Sequence, residues 1–370
     1  MPKLNGQPWI YSPVADSIGI LAPPFVAVLA ALALSQKFGP QASVGAIAWF
    51  ILVVGIDVAH VYGTMFRTYL DKEKRRDHGA FLIFIPILCW AVGAILYATH
   101  PLLFWSTLAY VAVFHFVRQQ YGFVMIYSRQ EKHLPKFCTR IDKVVIYTAT
   151  IYPLIYWHTH LPREFSWFVE GDFVTLPAGS ALKFIQVTAL YFYVGVLFLY
   201  VLKEAFLFMR GQQLNIARNL LILGTVCSWS VGILFFNGDL IFTLTNVVSH
   251  GIPYMTLIWM YERKSERRRR LFTVSRLPFY IGLLVLLAYV EEGFWDAFVW
   301  QDHLQFFAFF SFLPAVTDST LLAILVPLLA LPQATHYVFD GFLWRRHGAH
   351  QEWKTVLFHP HPAGTERVIS

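Results

Sequence analysis

Residues 80–99 read AFLIFIPILCWAVGAILYAT, a run without a single charge. At 1.5 Å of rise per residue, such a run makes a helix about 30 Å long, the thickness of a bilayer's hydrocarbon core. A helix in water keeps a polar face, and this one has none. The run is continuous and does not alternate, which argues against a strand of a membrane β-barrel.

Nine further segments read the same way: about 16–36, 44–66, 101–127, 143–157, 180–202, 219–237, 240–260, 277–294 and 318–343. The shortest is 143–157. Residues Leu304 to Phe312 are apolar but too short to span, and read as an interfacial or re-entrant piece. The expected fold class is all-α: a polytopic integral membrane helix bundle of about ten transmembrane helices, forming one domain over 1–370. Composition agrees. Of 370 residues, 57% are hydrophobic and 14% charged, with mean hydropathy +0.53, against roughly 25% charged in soluble domains. A soluble globule is excluded, and so is a disordered chain. Three cysteines (Cys89, Cys138 and Cys227) are too few for a disulfide framework.

Charge placement sets the orientation. Loops 67–79, 128–142, 203–218 and 261–276 fall on one side with both tails. Of the 29 Lys and Arg, all but Lys37, Arg118, Arg163 and Lys183 lie on that side. By the positive-inside rule both termini are expected in the cytoplasm, in a multi-pass protein of a bacterial inner (plasma) membrane. The run Arg267–Arg270 reads as a topology anchor that touches anionic lipid, and not as a nucleic-acid site. No phosphate-binding loop or dinucleotide fingerprint is present.

Against this apolar background the polar residues stand out. An ionisable group at mid-bilayer costs roughly 2.5–3.5 kcal/mol, so it persists there mainly when partnered or functional. Four segments carry such groups: Asp57 and His60; His115, Arg118 and Gln119; Asn246 and His250; His336 and Asp340. The spacings are i,i+3 or i,i+4, so each set shares one helix face. Depth agrees as well. His60, His336, His250 and His115 precede the next cytoplasmic arginine by 7, 9, 13 and 14 residues, or about 10, 14, 20 and 21 Å. The four imidazoles are expected to converge on one buried site.

Imidazole and carboxylate together are the ligand set of non-haem iron, and imidazole also suits zinc and copper. The expected metal ligands are His60, His115, His250 and His336. Asp57, Arg118 and Asp340 are the candidate catalytic groups: either aspartate as a base, and Arg118 binding an anion. Asp340 behind His336, Gln119 beside His115, and Asn246 are expected to support the ligands. Histidines of the tail, His347, His350, His359 and His361, offer a separate metal pair. The cofactor expected first is iron, with zinc or haem as alternatives. The reaction class is oxidation of a lipid or another hydrophobic small molecule by dioxygen. A zinc hydrolase ranks lower, because no glutamate is expected at the level of the histidines. Competing readings are a haem protein, a proton-coupled transporter with an intramembrane Asp/His/Arg site, and a structural membrane protein. Nothing in the sequence identifies a protein partner.

On these positions the chain resembles the bacterial Brp/Blh carotenoid-cleaving membrane dioxygenases. In that family single histidines on two early spans, here His60 and His115, join a pair four residues apart. Asn246 and His250 take the place of that pair, with Asn at its first position, so the resemblance implies a four-histidine iron only if His336 substitutes. It also implies an isoprenoid substrate and fewer spans than are counted here.

Overall fold

The computed structural model describes residues 6–131, 133–265, 268–344 and 352–358. Regular structure among them is helical, with no strands, and helix makes up 76% of these described residues. In order the helices are α1 (Pro13–Leu21), α2 (Pro23–Phe38), α3 (Ala46–Arg67), α4 (Lys72–Thr99), α5 (Pro101–Tyr127), α6 (Lys136–Thr159) and α7 (Ser180–Met209). They continue as α8 (Ile216–Phe235), α9 (Asp239–Lys264), α10 (Val274–Trp300), α11 (Ser319–Leu329), α12 (Leu331–Leu343) and the short α13 (Glu352–Phe358). The tail histidines lie outside the described residues.

The starts are written in the sequence. Asp71 accepts from the amides of Glu73 and Lys74, Asn215 from Arg218, and Asp318 from Leu321. Such a cap contributes typically about 1 kcal/mol. Proline occupies the first turn of α2, α5 and α12, where its missing N–H costs nothing.

Six helices (α3, α4, α5, α7, α8 and α10) are long and apolar enough to cross a membrane. The pairs α1–α2 and α11–α12, bent by 45° and 42°, raise this to eight if each counts as one span. Segments 143–157 and 240–260 are helical too, within α6 and α9. They are less apolar because their polar residues face inward. In α9, Asn246, Ser249, His250 and Tyr254 are all buried, and this helix packs against α2, α3 and α8 as the axis of the bundle. The outer faces show the opposite pattern: Ile83, Phe84, Phe184, Tyr191, Phe198 and Phe279 stand exposed, as lipid-facing side chains do. Leu304 to Phe312 forms turns around a short 3-10 segment, Ala308–Phe310, and not a span.

Charges are also buried between α6, α7 and α8. Lys203 pairs with Asp142 and Glu204, and Arg218 with Asp142, Glu131 and Glu204, tying α6, α7 and α8 together. Every charge in this network has a partner, which is the condition for burying it.

Candidate metal centre

Three local features bring the histidines together. Residues Phe50–Val58 of α3 wind as wide π-helical turns, a device that re-aims the residues after it; His60 follows directly. On α9, Gly251 lets the two helices touch. A Cβ there would fall 2.8 Å from Ile56 Cγ2 and 3.2 Å from the Ile56 carbonyl oxygen. The 42° bend between α11 and α12 comes six residues before His336, and turns α12 across α3 and α5.

The result is a closed circuit of four imidazoles. Ring centroids lie 4.7 Å apart for His60–His250, 5.1 Å for His250–His115, 4.5 Å for His115–His336 and 5.0 Å for His336–His60. One nitrogen from each ring lies within 4.8 Å of all the others. All four residues are 5% exposed or less.

Six of their ring nitrogens have no hydrogen-bond partner: both of His60, both of His250, and Nε2 of His115 and His336. An unsatisfied buried polar atom costs about 1–3 kcal/mol, so leaving six is anomalous for a structural cluster. A metal ion takes one lone pair from each neutral imidazole and removes four of these costs at once. The donor set fits a transition metal on this ground.

Each histidine is followed one helical turn later by a polar residue: Thr64, Gln119, Tyr254 and Asp340. Three of these make a chain behind His336. Tyr254 OH donates to Asp340 Oδ1 at 2.5 Å, the Thr64 hydroxyl lies 2.8 Å from Tyr254 OH, and His336 Nδ1 lies 2.6 Å from Thr64 Oγ1. Each hydroxyl has one proton. Tyr254 gives its proton to Asp340, so Thr64 donates to Tyr254 and must accept from His336. His336 therefore carries its proton on Nδ1 and presents the lone pair of Nε2 to its three neighbours. The fourth, Gln119, donates to the backbone carbonyl of His250 at 3.0 Å.

Several expectations need correction. Arg118 does not enter the site. It is exposed on the far side of α5 and donates to Tyr147 OH at 2.9 Å, because a position three residues from His115 still leaves a long side chain free to swing outward. Asp340 does not bond His336 directly, since the two are 4.0 Å apart; Thr64 and Tyr254 intervene. Its other oxygen is 3.9 Å from His115 Nε2. Gln119 holds the backbone of His250 and not the ring of His115. The Asn246 amide donates to Phe242 of its own helix. Asp57 lies 3.8 Å from His60 Nδ1, near it but beyond hydrogen-bond reach.

Sequence reasoning missed Thr64 and Tyr254, although their i+4 spacing from His60 and His250 was a usable signal. It missed Glu291 as well. This residue of α10 is buried and accepts from Tyr62 OH at 2.7 Å, so a glutamate does come within one hydrogen bond of the turn that carries His60. No family model matches this chain, and neither does a curated protein or a solved structure.

Proposed function

We propose that the chain is a membrane-embedded oxidoreductase that holds one iron through His60, His115, His250 and His336 and oxidises a hydrophobic substrate with dioxygen. The observation that carries this reading is the circuit of four buried imidazoles with six unpartnered nitrogens. Iron held there would supply oxygen-dependent hydroxylation, desaturation or cleavage of an acyl or isoprenoid chain.

Two arguments favour iron over the alternatives. Zinc on these four imidazoles would be a closed structural site, whereas iron on the same four would keep positions for reactants, as oxidation requires. Haem needs a flat macrocycle between two histidines, and centroids 4.5–5.1 Å apart around the circuit give no room for one. The protein's own groups divide the remaining work. The chain His336–Thr64–Tyr254–Asp340 fixes one imidazole's tautomer. Gln119 fixes the backbone of another. Burial of all four rings, 5% exposed or less, shields them from bulk water. Asp57 and Asp340, within 4 Å of ligand rings, are placed to take or hold a proton near the site.

The same reading places ten spans in the membrane, counting α6 and α9, with both termini and the basic loops in the cytoplasm of a bacterium. The resemblance to carotenoid-cleaving dioxygenases points to an isoprenoid as substrate.

The test is elemental analysis of protein purified without chelators. About one iron per chain is expected, falling several-fold or more when any one histidine is replaced by alanine. Wild-type protein without iron, or His60→Ala and His336→Ala variants with unchanged iron, overturns the reading.

A further inference from the structure

Arg118, set aside by the histidine site, belongs to a different one. Its guanidinium lies 5.4 Å from the Tyr121 ring and donates to Tyr147 OH. Lys143, exposed on α6, lies 5.9 Å from the Tyr121 ring and 6.0 Å from the Tyr147 ring. The two tyrosine rings are 5.2 Å apart. Two cations thus flank an aromatic floor in the groove between α5 and α6. Neither has a carboxylate partner among the described residues.

The neighbouring residue shows how unusual this is. Asp142, adjacent to Lys143, turns inward and is paired with both Lys203 and Arg218. Asp142 is neutralised inside the protein, whereas Lys143 beside it and Arg118 farther along the groove face outward without a carboxylate. On the topology expected from loop charge, that buried network, joining Glu131, Asp142, Lys203, Glu204 and Arg218, lies at the cytoplasmic headgroup layer. Arg118, reaching Tyr147 one turn farther along α6, lies about 6 Å deeper. An arginine at that depth is costly in hydrocarbon, and a phosphate matches its fork of donors with two parallel hydrogen bonds.

The groove continues as apolar surface away from the charges. Phe114 and Val111 on α5 and Ile151 on α6 are exposed. Beyond them a cavity of about 300 Å³ opens between α5, α6 and α7, lined by Val113, Ile151, Leu154, Ile155, Phe173 and Ile185 among others. Ile151 follows Tyr147 by one turn, so cationic head and apolar cavity form one continuous track.

We propose that this groove binds one anionic phospholipid, its phosphate held by Arg118, Lys143 and the Tyr147 hydroxyl and one acyl chain laid into the cavity. The site is separate from the four histidines and does not rest on their function.

The experiment is native mass spectrometry of the detergent-purified full chain titrated with phosphatidylglycerol, phosphatidylcholine or inorganic phosphate. Wild-type protein is expected to retain one phosphatidylglycerol in preference to phosphatidylcholine. At about 1 kcal/mol per cation, the Arg118→Gln/Lys143→Gln double variant binds it about 30-fold more weakly. Ile151→Trp, which fills the cavity and keeps both charges, weakens it too. Lys72→Gln/Arg75→Gln, an equal charge change on the exposed first turn of α4, leaves it intact. Iron content is the same in all of these proteins, which separates this result from the fate of the metal reading. Equal retention by the double variant overturns the proposal. So does equal binding of the two lipids, or displacement of the lipid by millimolar inorganic phosphate.

Discussion

The Phe116 ring lies flat against the His250 imidazole, with centroids 3.5 Å apart and planes 9° apart. His250 has no hydrogen bond at either ring nitrogen, so its orientation depends on this stack and on Gln119 at its carbonyl. The flat contact covers one face of the imidazole and leaves its edge toward His60 and His115. Phe116 is itself held from behind by Trp167, 5.0 Å away.

Replacing Phe116 by leucine keeps the site apolar and removes the flat surface. The His250 ring then gains freedom that metal binding must remove. Iron affinity is expected to fall about 10-fold, with a stability loss of only about 1–2 kcal/mol. Metal-competition titration beside a thermal melt separates the two effects. Unchanged affinity would show that the stack does not position the ligand.

The chain from Asp340 to His336 makes a graded prediction. Thr64→Val keeps the volume and removes the hydroxyl that His336 Nδ1 donates to. His336 can then adopt the wrong tautomer, and iron affinity is expected to fall 10- to 100-fold. Tyr254→Phe breaks the next link and is expected to have a smaller effect of the same sign. Asn246→Leu, on the α9 turn before His250 but bonded within its own helix, is expected to leave affinity unchanged. If the three variants ranked otherwise in competition titrations, the relay would not be what sets the His336 proton.

Gly251 tests whether helix approach builds the site. A methyl group there meets Ile56 at 2.8 Å, so Gly251→Ala pushes α9 from α3 and separates His250 from His60. Overpacking of this kind costs about 1–3 kcal/mol. The larger effect is expected on iron content, and Ile56→Ala in the same chain, which removes the Cγ2 that the new methyl meets, is expected to restore part of it. A Gly251→Ala protein with full iron would mean that the rings tolerate the shift.

How far the sequence reached follows from what each signal encodes. Charge is expensive in an apolar helix, so His60, His115, His250 and His336 were visible as exceptions. Counting residues to the next basic loop then fixed their height. Height says nothing of direction around the helix, which is why Arg118, at nearly the height of His115, was assigned to the wrong face. Hydroxyls are cheap in a helix and raise no alarm, so Thr64 and Tyr254 stayed hidden in spite of their spacing. Glu291 sits near the end of a segment read as an ordinary span, and only the contact with Tyr62 shows its level. The all-helical architecture was legible as runs of apolar residues, whereas among the described residues six helices, or eight with the bent pairs, are long and apolar enough to span, against about ten expected. The less apolar α6 and α9 show the limit of that signal, since a helix surrounded by other helices can carry polar residues that a lipid-facing one cannot.

Withdrawal of the metal supplies a test that a structural histidine cluster would fail. Without an ion, the imidazoles leave six buried nitrogens unpartnered. Removing polar atoms that have no partner then stabilises, at about 1–3 kcal/mol per unsatisfied group. His60→Leu, which removes two of the six and fills most of their volume, is therefore expected to melt higher than chelator-treated wild type. Iron raises the melt of wild type and narrows its gap to the variant, because binding stabilises the native state by about 2.7 kcal/mol when free metal is a hundredfold above Kd. The measurement is one set of thermal melts, wild type and variant, each with and without chelator. If His60→Leu is the less stable protein under both conditions, the ring nitrogens have partners within the fold and the case for an ion at their centre is lost.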